Sequence, residues 1–113
     1  MKRFEIINMF RKLGKIKLNK VEDRKLRNAL ISDNFKMYKV AKENDEYIAS
    51  LREQFDPEAV KDINEAYDKY ARETIDIALE KIDRTAFSDM IAAADIDLTL
   101  DEMTALDPLF MED

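Results

Sequence analysis

Asp95, Asp97, Thr99 and Asp101 stand at alternate positions, the spacing at which oxygen side chains supply positions 1, 3, 5 and 7 of an EF-hand calcium loop. The rest of that chemistry is missing. Position 6 must turn sharply but is Leu100 rather than Gly, and position 12 is Leu106 rather than a bidentate Glu. Thr99 followed three residues later by Glu102 reads instead as a capping box that opens a helix. The chain has 25 acids in 113 residues, so no two carboxylates are singled out as a general acid–base pair. It also has no His and no Cys, which excludes the usual zinc sites, thiol nucleophiles, the Ser-His-Asp triad and iron–sulfur ligation. A single Gly cannot build a phosphate loop. The expectation is a protein that is not an enzyme, with no catalytic residues, no metal and no cofactor.

The basic residues are harder to set aside. Arg11, Lys12, Lys15, Lys17, Lys20, Arg24, Lys25 and Arg27 place eight cations within 17 residues, offset by Glu22 and Asp23. Residues 1–42 hold 13 Lys and Arg against 4 acids, whereas residues 43–113 hold 6 against 21, so the two parts carry +9 and −15. Contacts to nucleic-acid phosphates are one use of such a patch, but the acidic remainder repels a polyanion and no recognition helix or aromatic platform accompanies the cations. The preferred use is docking of the positive end against a negative body, within the molecule or between copies, because charge steers association and selects register.

The elements that must carry these groups are helical. One Gly and two Pro cannot supply the turns of a sandwich or barrel. Apolar spacing predicts a first helix over residues 3–13, ended by Gly14 in a left-handed conformation. A long second helix is predicted over residues 20–54, opened by Asn19 and Glu22. In its apolar seam of Leu26, Leu30, Met37, Val40, Ala41, Ile48, Leu51 and Phe55, Asn34 and Asn44 are either polar register-setting residues or, the preferred reading, rim positions facing water. Asp56-Pro57 marks the next boundary, and a third helix runs from there as far as residue 82. The rival reading gives residues 74–79 as a strand, paired with residues 15–18 in a small two-stranded β-ribbon. Asp83 caps a short helix, and the Thr99 box opens another. The predicted fold is one mainly α domain over residues 1–113: a long antiparallel helical hairpin flanked by short N- and C-terminal helices.

Phe4, Ile7 and Phe10 near one end of the chain, and Leu109 and Phe110 near the other, are candidate interface residues for a protein partner or for self-association. No apolar run is long enough to span a membrane and no signal peptide is read at the N-terminus, so the expectation is a cytoplasmic protein without a membrane partner.

The run Leu13-Gly14-Lys15-Ile16-Lys17-Leu18-Asn19-Lys20 leading into Arg24-Lys25-Leu26, an acidic middle, Ile75-Asp76-Ile77, and the ending Leu98-Thr99-x-x-Glu102-x-x-x-Leu106-x-x-Leu109 together resemble small uncharacterised proteins encoded in tailed-phage and prophage gene clusters. The resemblance implies a role in the phage cycle such as particle assembly, with virion association as an alternative location. It also implies an extended course for residues 75–79. It carries no functional residue with it.

Overall fold

The computed structural model describes residues 1–111. Its helices are α1 (Arg3–Leu13), α2 (Arg24–Gln54), α3 (Val60–Ala71), α4 (Arg84–Ala93) and α5 (Leu100–Leu106), with 3-10 turns at Leu18–Lys20 and Asp107–Leu109. The fold is mainly helical, and among the described residues no strand forms. At about 1.5 Å per residue the 31 residues of α2 span roughly 46 Å, and the molecule measures 49 × 26 × 23 Å, so α2 sets its long axis.

The inner face of α2 follows steps of four and three residues. Leu26, Leu30, Asp33, Met37, Val40, Asn44 and Leu51 are buried along it, with Tyr47 half-buried in the same series. The two polar members differ from expectation: Asn34 is half-buried, whereas Asn44 is fully enclosed and is no rim residue. Against this seam lies α1, which buries Ile6, Ile7, Met9 and Leu13, while α5 packs on another side of α1. The short N-terminal helix is thus the hub of the core. Ile16, Val21, Ile82, Phe87, Leu106, Leu109 and Phe110 complete that core.

Four boundaries depart from the sequence reading. Gly14 is right-handed, at φ −61°, and the chain tightens through Lys15 N–H to Lys12 O and Ile16 N–H to Leu13 O instead of reversing. α2 is capped by Asp23, whose Oδ1 accepts from Leu26 N–H at 3.0 Å, because residues 18–20 are taken up by the 3-10 turn that seats Ile16 and Val21 in the core. The third helix begins at Val60 and not at Pro57, because residues 56–59 form a turn closed by Ala59 N–H to Asp56 O at 2.8 Å, and it stops at Ala71, well short of residue 82.

Residues 72–82 are neither helix nor half of a ribbon with residues 15–18. They form an extended strap whose Ile75, Ile77 and Leu79 pack on the core while Asp76, Ala78 and Glu80 face water. The bonds a helix would have used go elsewhere. Ile75 N–H donates to Met1 O at 2.8 Å, Arg3 N–H to Glu73 O at 3.0 Å, and Glu80 N–H to Asp33 Oδ1 at 2.7 Å. Lys36 Nζ donates to Ala78 O at 2.7 Å. At the strap's end Ile82 N–H bonds Leu109 O, and Met111 N–H returns to Ile82 O, both at 2.8 Å, so the C-terminal tail is tied to the same segment. Helix α3 contacts α2 and α1, and the rings of Tyr47 and Tyr70 stack at 3.8 Å.

Candidate functional site

The acidic run 95–101 is consumed by helix ends. Asp95 adopts φ 52°, one of the few positive values a non-Gly residue tolerates, and closes α4: Asp95 N–H bonds Ala92 O and Ile96 N–H bonds Ile91 O, the paired bonds of a Schellman motif. Thr99 then opens α5, its Oγ1 accepting Glu102 N–H at 3.2 Å while Glu102 Oε1 accepts Thr99 N–H at 3.1 Å. Among the described residues no three carboxylates converge on a point where an ion could sit.

Glu102 also receives part of the basic patch. Its buried Oε2 lies 2.6 Å from Lys15 Nζ, and this contact, together with the bonds in the capping box, holds the carboxyl down at about 2. Arg27 is half-buried and donates to Val21 O at 3.3 Å, and Lys12 is half-buried as well. Arg11, Lys17, Lys20, Arg24 and Lys25 are exposed around the junction of α1 and α2. They do not form one surface. Lys15, Lys17 and Lys20 rim a depression of about 300 Å³ floored by Ile16, Val21 and Met90, whereas Lys25 borders another of about 320 Å³ together with Asp23, Glu80 and Asp83. A third, of about 390 Å³, sets Lys20 beside Glu22, Asp23 and Asp89.

Of the candidate interface residues, Ile7, Leu109 and Phe110 are core. Phe110 meets Phe87 edge-on at 5.1 Å under the guanidinium of Arg84. Position near a chain end suggests surface; here α2 packs on α1, which carries Ile7, and the strap bonds the segment of Leu109 and Phe110 through Ile82. Phe4 is 48% exposed, and Phe10 is half-buried with its ring 6.1 Å from that of Tyr38.

The exposed apolar surface that sequence reasoning misses lies on α2. Ile31, Phe35 and Tyr38 are 45%, 58% and 47% exposed. They belong to a second four-and-three series, Arg24, Asn28, Ile31, Phe35, Tyr38, Lys42, Asp45 and Ala49, every member of which faces solvent. At about 100° per residue this series lies roughly 160° around the helix from the buried one. Lys39 reaches over the Phe35 ring at 4.7 Å. The signal is present in the sequence as three large apolar residues at i, i+4 and i+7, but a helix this rich in apolar residues hides it.

Compared with protein-family models, with curated proteins and with solved structures, the chain gives no match. Its geometry therefore carries the functional reading. Helix α2 has one buried seam and one exposed seam with Ile31, Phe35 and Tyr38 at its centre, and among the described residues no helix is long and apolar enough to cross a membrane.

Proposed function

We infer that this protein is a non-enzymatic interaction or assembly protein that works through helical surfaces on a charge-asymmetric body, with α2 and α3 as its helical hairpin. The observation that carries the reading is the exposed series on α2 with Ile31, Phe35 and Tyr38 at its centre. Large apolar groups held in line on a rigid helix, flanked by charge, suit recognition of a helical partner. The resemblance to small tailed-phage and prophage proteins supports placing that partner in particle assembly. The test is size-exclusion chromatography with light scattering at low and high salt, joined to a pull-down with wild type and Phe35→Glu. Assembly or partner capture that Phe35→Glu abolishes supports the reading. A strict monomer that captures nothing overturns it.

Nucleic-acid binding through residues 11–27 is the second reading, favoured by the exposed Arg11, Lys17, Lys20, Arg24 and Lys25. Against it stand Glu22, Asp23 and Asp89 among those cations. An electrophoretic shift at low salt decides: no shift at micromolar protein ends it.

A further inference from the structure

We propose that the occupant of the exposed α2 face is α2 of a second copy, lying antiparallel to the first across a two-fold axis between Phe35 and Tyr38; this rests on the interaction reading above. The reason is the charge order of the helix. Residues 24–42 carry the cations Arg24, Lys25, Arg27, Lys36, Lys39 and Lys42 with Asp33 as their one acid, and Asp33 is buried on the opposite side. Residues 43–54 carry Glu43, Asp45, Glu46 and Glu53 against Arg52. A parallel pair would set Arg24 on Arg24, Lys42 on Lys42 and Asp45 on Asp45, stacking like charges at every charged position of the exposed series. The antiparallel pair sets residues 24–30 of each copy, with Arg24, Lys25 and Arg27, against residues 43–49 of the other, with Glu43, Asp45 and Glu46.

The exposed series also closes geometrically in that arrangement. With its four-and-three spacing, Phe35 of each copy falls against Tyr38 of the other, so the two aromatic pairs meet at the axis. Ile31 falls against Lys42, whose methylene stem covers it while the ammonium stays in water. Asn28 falls against Asp45, and Arg24 lands beside Ala49, between Glu46 and Glu53. The Tyr38 ring is already braced by Phe10 at 6.1 Å, so part of the surface is ordered before pairing.

The native chain has no Cys, which makes engineered cross-links unambiguous. Sedimentation velocity from about 10 to 500 µM should show a monomer–dimer equilibrium for wild type, weakened by salt, and a monomer throughout for Phe35→Glu with an unchanged far-ultraviolet dichroism spectrum. Under mild oxidation the double variant Arg24→Cys with Ala49→Cys should form a covalent dimer, while Arg24→Cys alone should not. A wild type that stays monomeric at the highest concentration overturns the proposal, as does a dimer indifferent to Phe35→Glu. Self-linking of Arg24→Cys alone would mean parallel pairing and would overturn it too. A monomer whose pull-down partner is lost on Phe35→Glu leaves the interaction reading standing and removes only the second copy.

Discussion

The guanidinium of Arg3 lies 3.6 Å from the centre of the Tyr70 ring, and the other face of that ring is stacked on Tyr47. Arg3 is also the donor to Tyr70 O at 2.7 Å and to Glu73 Oε2 at 2.9 Å, so one buried side chain at the start of α1 holds the end of α3 against α2. Arg3→Met, which keeps bulk and loses donors, should destabilise by about 2–3 kcal/mol, or on the order of 10 °C in Tm. Arg3→Lys keeps the charge but not the planar fork and should fall between. Thermal melts followed by circular dichroism check the order; an Arg3→Met variant within ~0.5 kcal/mol of wild type would remove Arg3 from this role.

Asp33 should make the fold more stable on mild acidification. Burial on α2 pushes its carboxyl from 3.8 up to about 6; the bond from Glu80 N–H opposes the rise, the Glu80 charge adds to it, and Lys36 and Lys81 oppose it. The folded state therefore holds a proton that the unfolded state releases, so stability is gained as pH falls through about 6 and is complete near 3.8. A rise of that size corresponds to roughly 3 kcal/mol. In urea unfolding across pH 4–8, Asp33→Asn should flatten that slope, and a variant with the wild-type slope would exclude Asp33 as its source.

Glu102 has the opposite sign. The Lys15 contact first, then the Thr99 amide, hold its carboxyl below the ordinary 4.5, at about 2. The stabilisation is present above 4.5 and is lost as pH falls toward 2. Together the two carboxylates place maximum stability near pH 4–5, and Lys15→Ala should move the acid limb of the curve to higher pH. An unchanged limb would mean that the ion pair is not what depresses Glu102.

The start of α2 separates two candidate caps. Asp23 accepts from Leu26 N–H at 3.0 Å, whereas Asn19 lies in the preceding 3-10 turn. Asp23→Ala should cost about 1 kcal/mol and Asn19→Ala less than half of that. Chemical denaturation of the two variants reads the difference directly.

The strap should show a sparse protection pattern in hydrogen exchange. The amides of Ile75, Glu80 and Ile82 donate to Met1 O, Asp33 Oδ1 and Leu109 O, so they should exchange more slowly than their exposed neighbours Asp76 and Ala78. Uniformly fast exchange over residues 72–82 would mean that the strap is not held.

Much of this molecule was written into short stretches of sequence. The helical class, the span of α1, the Asp83 and Thr99 caps and the Asp56-Pro57 break all depend on groups within one turn of each other, so spacing alone located them. Tertiary structure decided what local spacing leaves open. Residues 74–79 fit helix and alternation alike, and the choice was made by Met1, Asp33 and Lys36, from 42 to 74 residues away in the chain, which bond the backbone of Ile75, of Ala78 and of the adjoining Glu80 in place of helical partners. On α2 two apolar series compete for the interior. Only the packing of α1 and the strap buried the one through Leu30 and Met37 and left Phe35 in water, because a helix cannot turn both faces toward one core.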